Sequence, residues 1–187
     1  MAGFSQPTSV YVQQSYQALM GQDTSGNPGL ASTLLSRSLI TTVVGQVSGG
    51  TDAYGVYLAA GTVLTSLTFR ASAGTTGVTA WWLSLCNASY TVVASTADQG
   101  ASAITGGRRT VALTAPYVVP TSGIYYFTIT QIATTPATLN AASTTGAAAG
   151  DPPVLNWRVT GIAAIPAVGY TYSGLANTTN TAWMIAT

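Results

Sequence analysis

The chain has 187 residues and a net charge of +1, and only 5% of its residues are charged. The charges are five arginines and four aspartates, because lysine, glutamate and histidine are all missing. Average soluble domains contain about a quarter charged residues, and Glu and Lys are among the good helix formers. The abundance of Thr, Ser, Val, Gly and Tyr therefore favours an all-β protein with one main domain.

Charge and apolar patterning argue against two kinds of partner. The arginines are scattered except for the pair Arg108 and Arg109, so we expect no nucleic-acid partner. No apolar run reaches the roughly 18 residues of a transmembrane helix, so we expect no membrane insertion. The segment MAGFSQPTSVYVQQ lacks the basic and apolar regions of a signal peptide, so we expect synthesis in the cytoplasm without export by a cleaved signal.

Residues 1–50 are predicted to form an N-terminal arm of extended or mixed structure. Glutamines cluster in SVYVQQSYQALMGQ, SGNPG interrupts the pattern, and LASTLLSRSLITTVVGQ follows, where residues 39–44 are predicted as a strand. We expect this arm to act in docking or oligomerisation, with residues 51–187 forming the main domain.

The rest of the chain shows short alternating runs separated by Gly, Pro, Asn or Ser, which predicts an antiparallel, jelly-roll-like β-sandwich. Pro116 and Pro120 flank a segment that fits an edge strand or a connection. The low-complexity stretch 136–153 is predicted to be a long surface loop. The predicted strands are 54–58, 63–70, 79–85, 90–95, 110–113, 123–132, 157–160, 168–172 and 182–186.

The run VTAWWLSLCNASYTVVA places two tryptophans side by side on a predicted hairpin strand. With a strand period of two, Trp81 and Trp82 lie on opposite faces. The same alternation in GIYYFTITQI separates Tyr125 from Tyr126. We expect one of the two tryptophans to lie in the core and the other to face a partner, and core packing of both is the alternative.

Few side chains are suited to catalysis. The four aspartates, Asp23, Asp52, Asp98 and Asp151, each lie next to Gly, Ser, Thr or Pro, where an Asp side chain commonly caps a turn. Cys86 is expected to be a small buried apolar group, because the chain has no histidine to activate it. We therefore expect no catalytic, metal-binding or cofactor-binding residues and no enzymatic activity.

Because charged residues are scarce, few of them are available to protect the strand edges from pairing with other chains. Natural β proteins use charged side chains to keep edges from pairing with other chains. We infer that the edges and outer aromatic faces are covered by other copies or by neighbouring proteins, as in an obligate subunit. Arg108 and Arg109 are expected to begin a strand, and alternatively one of them reaches an Asp of a neighbouring subunit. The candidate interface or ligand-stacking residues are Trp81, Trp82, Tyr125, Tyr126, Arg108 and Arg109.

Two stretches, GTVLTSLTFRASAGTTGVTAWWLSLCNASYTVVASTADQ and LTAPYVVPTSGIYYFTITQIATTPATL, carry a family resemblance. Together they resemble the β-sandwich domain of structural proteins from tailed bacteriophages of actinobacteria, often labelled minor tail proteins. The shared order is a strand after an Ala-Gly-Thr turn, a Trp-containing strand, a strand ending in Thr-Ala-Asp, and a Pro-Thr-Ser-Gly-x-Tyr-Tyr strand. The resemblance covers roughly residues 54–187.

The resemblance implies a non-enzymatic virion protein whose sandwich is displayed on the particle while the arm anchors it. A minor tail protein is the expectation, and a head decoration or fibre protein is the alternative. The expected partners are other copies of the chain, with a trimer as a guess, and neighbouring virion proteins. A function of another class remains open: a carbohydrate-binding module in which Trp82, Tyr125 or Tyr126 stacks on a host cell-surface glycan.

Overall fold

The computed structural model describes residues 31–33, 40–143 and 155–187. These residues form strands and no helix, as the β-branched and aromatic composition predicts. The strands are β1 (Ala31–Ser32), β2 (Thr42–Gly45), β3 (Gly50–Leu58), β4 (Val63–Ala73), β5 (Thr76–Cys86), β6 (Val92–Ser95), β7 (Gly107–Val118), β8 (Gly123–Thr135), β9 (Thr138–Ser143), β10 (Asn156–Val159), β11 (Ala176–Asn177), β12 (Asn180–Ala182) and β13 (Met184–Ala186).

Two antiparallel sheets pack face to face, which confirms the predicted all-β sandwich. Sheet one follows the order β1-β13-β4-β9-β12, with β2 added to β9 and β7 added to β4. Sheet two follows the order β11-β10-β3-β8-β5-β6. Consecutive strands from β3 onward lie mostly in opposite sheets, so the chain crosses repeatedly between the layers, as the jelly-roll-like prediction requires.

The main core lies between the sheets and follows the predicted alternation. On β5, Trp81, Leu83 and Leu85 face inward, and the Trp81 ring packs edge-on against Phe69 of β4, with ring centroids 5.8 Å apart. On β8, Tyr125, Phe127 and Ile129 face the same core. Most inward-facing side chains of both sheets are apolar, with Asp52 and Gln131 as buried polar exceptions, so burial of apolar surface is the main interaction between the two layers.

Two of the predicted secondary-structure segments are wrong. Residues 136–153 are not one long loop, because β9 begins at Thr138 and buries Leu139 and Ala141 in the core. Residues 168–172 do not form a strand; Thr171 makes an isolated bridge with Thr91. Small Ala and Thr side chains gave the first segment a loop-like composition, although its pairing with β2, β4 and β12 places it inside sheet one.

Two short strands from the first 50 residues add to sheet one. β2, at Thr42–Gly45, overlaps the segment predicted as a strand at 39–44 and pairs with β9, while β1 pairs with β13. Residues 1–30 and 34–39 lie outside the described residues. The docking role of the arm therefore stays a prediction.

Candidate interaction surfaces

Much of the outer face of sheet two is aromatic and buried, although Tyr57 near the end of β3 is 46% exposed. Trp82 and Cys86 of β5, Tyr126 of β8 and Trp157 of β10 all lie on this face, and each is at most 2% exposed. Hydroxyl side chains separate the aromatic rings, including Thr128, which is also buried. A sheet in a two-layer sandwich has one face left for solvent, so something must cover this one.

The cover includes the chain's own connection between β10 and β11, residues 160–175, here called the strap. Its Tyr172 is 2% exposed and packs with Trp157 at a ring-centroid distance of 5.3 Å, and Ile162 and Leu175 pack on the same cluster. Burying an aromatic side chain of this size removes about 150–250 Å² of surface from water. The strap thus supplies an outer hydrophobic layer to the sandwich.

Backbone hydrogen bonds fix the strap at two distant points. The Ile162 amide donates to the Gly49 carbonyl, just before β3, over 2.9 Å. At the opposite edge, the Val92 amide of β6 donates to the Tyr170 carbonyl and the Gly169 amide donates to the Val92 carbonyl, each over 2.8 Å. The strap therefore crosses sheet two from the β3 side to the β6 side before it returns to β10.

The crossing is irregular and contains a turn. The chain bends at Ala164, and the Tyr170 amide donates to the Ala167 carbonyl over 3.0 Å, which closes a turn at the β6 anchor.

A turn between β5 and β6 adds another aromatic ring to this face. Asn87 Oδ1 accepts hydrogen bonds from the Ser89 and Thr91 amides, which builds the turn predicted from the sequence. Tyr90 then has a φ of +62°, a conformation that bulky residues rarely adopt. Its ring lies 5.4 Å from that of Tyr126 and 5.6 Å from that of Trp157, so packing compensates for the strained backbone.

The predicted division between one core and one partner-facing tryptophan is wrong. Trp81 is 3% exposed and Trp82 is 0% exposed, so both are buried within the chain. Tyr125 and Tyr126 are also buried, Tyr125 in the core and Tyr126 beside the strap. None of these four side chains is available for stacking on an external ring. The alternative prediction, that both tryptophans pack inside the protein, is confirmed.

Asp52 is part of a buried ion pair and does not cap a turn. It lies in β3 directly opposite Arg158 of β10 and is 1% exposed. Arg158 Nε donates to Asp52 Oδ1 over 2.6 Å and Nη2 donates to Oδ2 over 3.0 Å, and Nη2 also donates to the Gly45 carbonyl of β2 over 2.7 Å. The pair therefore links sheet two to sheet one, and the turn predicted at this position is wrong.

Burial controls the acid–base properties of this region. Desolvation raises the pKa of the Asp52 carboxyl, and the hydrogen bonds and charge of Arg158 partly offset that rise. Desolvation and the nearby Asp52 charge raise the pKa of Tyr54 well above its usual range. The same desolvation raises the pKa of Cys86, which is 0% exposed, so its thiol behaves as the small buried group predicted from the sequence.

Asp98 has the turn role predicted for it. Its Oδ1 accepts hydrogen bonds from the Gly100 amide over 2.8 Å and from the Trp81 amide over 3.1 Å. The carboxylate stays exposed at the start of the loop that joins β6 to β7. Asp23 and Asp151 lie outside the described residues.

Arg70, Asp98, Arg108 and Arg109 form a group that we call the charged edge. Arg108 and Arg109 begin β7, as predicted, and Arg108 lies directly opposite Arg70 of β4. Arg109 Nη2 donates to the Ala103 carbonyl over 3.2 Å and to Thr105 Oγ1 over 2.8 Å, within the loop that carries Asp98. Apart from the Asp52–Arg158 pair, these are the charged side chains of the described residues.

Close packing holds that loop against the end of β4. The Thr75 amide donates to the Ile104 carbonyl over 2.9 Å, and the Ile104 amide donates to Thr75 Oγ1 over 3.0 Å. A Cβ at Gly74 would lie only 2.6 Å from the Ile104 carbonyl oxygen, so glycine permits this approach. Asp98 and the arginines are thereby fixed at one end of the sandwich.

Strand β7 has charged residues, which the sequence analysis expected to be scarce at strand edges, and it contains Pro116, whose segment was assigned to an edge strand or a connection. Among named strands it pairs with β4, and its other side meets sheet two at the bridge between Leu113 and Thr96 in the described part of the chain. Pro116 lies within this strand and has no amide hydrogen to offer a foreign strand. Arg108, Arg109 and Pro116 together make it unfavourable for a foreign strand to pair with the edge of β7.

The sequence analysis missed Arg70 and the strap. Arg70 is separated from Arg108 by 38 positions, and only the register of β4 and β7 brings the two together. The strap sequence TGIAAIPAVGYTYSGL has the alternation of apolar residues that suggested a strand, but it covers a sheet instead of joining one. No periodic signal distinguishes these two outcomes.

No helix in the described residues is long and apolar enough to cross a membrane, and those residues contain no cluster of three potential metal-ligating side chains among His, Cys, Asp and Glu. A search of protein-family models finds no match to the chain, and a search of curated proteins finds none either.

Proposed function

We propose that the chain is a non-enzymatic structural protein displayed on the particle of a tailed bacteriophage, as a minor tail protein. The observation that carries the proposal is the placement of the reactive side chains. Asp52 is held in the bidentate pair, Asp98 caps a turn, and Cys86 is buried. Each contributes to the stability of the sandwich, which suits a protein whose task is to hold its shape and bind other proteins.

The exposed surface supports the same proposal. It consists largely of hydroxyl and small side chains, with isolated apolar residues such as Val63, Val118 and Tyr57 and with the charged edge. Interfaces between proteins are built from such mixed surfaces, in which a few residues provide most of the binding energy. The family resemblance is the reason for placing the protein on a phage particle. A head decoration or fibre role is the alternative on that particle.

The carbohydrate-binding alternative loses its structural basis. It requires Trp82, Tyr125 or Tyr126 to lie exposed so that a sugar ring can stack on it, and all three are at most 5% exposed. The strap, moreover, lies over the sheet face on which Trp82 and Tyr126 lie. We therefore do not propose a glycan-binding role.

The proposal is tested by adding the purified full-length chain to phage particles assembled without it. We expect the chain to co-sediment with the particles in a saturable manner, and cryo-electron microscopy of the decorated particles then separates tail from head. A chain that stays in the supernatant at all concentrations contradicts the proposal.

A deletion of residues 1–30 tests the anchoring role of the arm. The deletion must stop there because β1 and β2 belong to sheet one and Thr33 Oγ1 donates to the Ala182 carbonyl over 2.9 Å. The expected result is a folded chain, judged by an unchanged β-sheet circular dichroism spectrum, that no longer joins particles. Unimpaired joining by the shortened chain would place the anchor elsewhere.

A further inference from the structure

Arg70 is not explained by the protection of a strand edge. It lies on β4, an interior strand flanked by β7 on one side and by β13 and β9 on the other. Its neighbour Phe69 is fully buried in the core, so the Arg70 side chain is on the outer face of sheet one, where it is exposed. Directly opposite it lies the exposed Arg108 of β7. We call Arg70 and Arg108 the arginine pair.

The arginine pair interrupts a face on which hydroxyl side chains bind one another. On one side of it, Thr68 Oγ1 and Thr110 Oγ1 are 2.7 Å apart, and on the other side Ser72 Oγ and Thr138 Oγ1 are 2.6 Å apart. Like charges placed directly opposite on neighbouring strands destabilise a sheet. The arginine pair has neither an ion pair nor a side-chain hydrogen bond among the described residues, so nothing in that part of the chain offsets the repulsion.

The described residues supply no carboxylate to the arginine pair. Asp52 is 1% exposed and is paired with Arg158. Asp98 accepts a hydrogen bond from the Trp81 amide of β5, a strand of the other sheet. The whole chain has only four aspartates and no glutamate. Charge complementarity therefore favours a partner of different sequence, richer in carboxylates, over a second copy of this chain.

An exposed pair of valines lies on the same face as the arginine pair. Val63 of β4 lies directly opposite Val118 of β7, and the two are 51% and 57% exposed. Leu64 beside Val63 is in the core, as Phe69 is beside Arg70, so both pairs lie on the outer face of the same two strands. Seven positions along β4 separate the pairs, or roughly 20 Å. This open surface, here called the β4–β7 face, thus has a cationic group and an apolar group.

We propose that the β4–β7 face binds a different protein of the particle, whose Asp or Glu carboxylate is held by the arginine pair and whose apolar side chain contacts Val63 and Val118. Directly opposite residues have Cβ atoms about 5 Å apart, so both guanidinium groups can donate to the two oxygens of one carboxylate. Arginines combined with apolar contacts are typical of protein interfaces, whereas a sulfated polysaccharide would leave the valines unused. This contact depends on the proposed function and adds the chemistry of the partner.

The test measures how tightly variants of the full chain co-sediment with particles assembled without it. The arginine variant, Arg70→Gln with Arg108→Gln, should raise the dissociation constant at least about tenfold, and the valine variant, Val63→Thr with Val118→Thr, about threefold. Joining is weakened and not abolished, because the arm is proposed to anchor the chain as well. Salt should weaken joining of the wild type more steeply than joining of the arginine variant.

Two further variants serve as controls. Val43→Thr with Val168→Thr changes two exposed valines outside the β4–β7 face, at 49% and 63% exposure, and should leave the dissociation constant unchanged. Arg70→Lys with Arg108→Lys keeps both charges but loses the planar guanidinium geometry, so its dissociation constant should lie between those of the wild type and the arginine variant. An unchanged circular dichroism spectrum shows that each variant is folded.

Three outcomes overturn the inference even when the wild type joins particles. One is an arginine or valine variant that joins as tightly as the wild type, whether or not the wild type binds heparin, a probe for anionic polysaccharides. Another is self-association of the free chain that the arginine variant loses, because the partner is then a second copy. The third is an equal loss in Asp23→Asn with Asp151→Asn that adds nothing to the arginine variant, because the carboxylate then belongs to this chain. A wild type that stays in the supernatant contradicts the proposed function itself, so the two failures are distinguished.

Discussion

The outer face of sheet two and the β4–β7 half of the outer face of sheet one solve the problem of an exposed sheet in opposite ways. The first has large aromatic side chains, and the strap packs on Trp157 and Tyr126, which are 0% and 2% exposed. The second is open to solvent and has Arg70, Arg108 and Thr110 on its surface. Large apolar side chains thus lie on the sheet face that the strap covers, and charged side chains lie on the face that stays open to solvent.

This difference changes the interpretation of a charge-poor, aromatic-rich sequence. The sequence indicates aromatic faces that need a partner, because a bare aromatic sheet face promotes aggregation. On sheet two the chain's own strap packs on that face. Aromatic content alone therefore does not locate an interface when a connection long enough to cross the sheet is present.

The largest expected effect comes from removing a ring beneath the strap. Trp157→Ala should lower the free energy of unfolding by about 3–5 kcal/mol, because a fully buried indole is lost and a cavity remains. Val118→Thr, on the open half at a position that is 57% exposed, should change it by less than about 0.5 kcal/mol. Urea denaturation of both variants measures the contrast. Similar losses in the two variants would show that the faces do not differ as described.

The arginines of the two regions should respond differently to loss of charge. Arg158→Met leaves Asp52 buried without its partner and should cost about 3 kcal/mol at neutral pH. Arg70→Met removes a repulsive neighbour of Arg108 and should cost nothing measurable.

The pH dependence of the Arg158→Met variant provides its control. Without Arg158, only burial acts on Asp52, and burial raises its folded-state pKa above the unfolded value. The raised pKa gives stability that is complete below the unfolded pKa and is lost as pH rises through the folded pKa. The variant should therefore recover stability relative to wild type in acid. An equal deficit at all pH values would contradict the buried-carboxylate explanation.

Neighbouring tyrosines on the strap provide a matched pair. Tyr172 is 2% exposed beneath the strap and Tyr170 is 44% exposed on its outer side. Tyr172→Ala should cost about 2–3 kcal/mol, and Tyr170→Ala less than about 1 kcal/mol, since little area is buried at the second position. Thermal unfolding of the two variants gives the comparison. A larger loss of stability in Tyr170→Ala would show that Tyr170, and not Tyr172, packs against sheet two.

Alkaline pH should weaken the covered face gradually. Burial raises the pKa of Tyr126 and Tyr172, both at the strap, so the folded chain keeps protons that the unfolded chain releases above the usual tyrosine pKa of 10.0. Stability then falls as pH rises, by about 1.4 kcal/mol per pH unit for each such group. Denaturant titrations at successive pH values from neutral to strongly alkaline measure the slope. A stability that is flat through this range would mean that these hydroxyls reach solvent.

The sequence predicts the strands better than it predicts what covers them. The two faces of β5 and β8 follow directly from alternation, and the turn at Asn87 and the start of β7 at Arg108 follow from local residue types. β9 was missed because half of its sequence, TLNAAS, is Ala and Asn, which strands disfavour, and its place depends on three partner strands. Long-range placement of this kind has no local signature.

The candidate surface shows the same limit. Arg108 was identified, but its neighbour Arg70 requires the β4–β7 register. The strap residues that share a cluster with Cys86 come about 80 positions after it in the chain. The resemblance to phage structural proteins rests on strands and turns, which describe the scaffold. It provides no information on which face of that scaffold remains open.

Acrylamide quenching of tryptophan fluorescence, measured on serial dilution, tests most directly whether the chain covers its own aromatic face. All four tryptophans are at most 4% exposed within one chain. We therefore predict weak quenching and a blue-shifted emission that stay constant across the dilution series. A strongly quenched, red-shifted component that emerges on dilution would contradict the account, because it would show that a partner, and not the strap, covers a tryptophan.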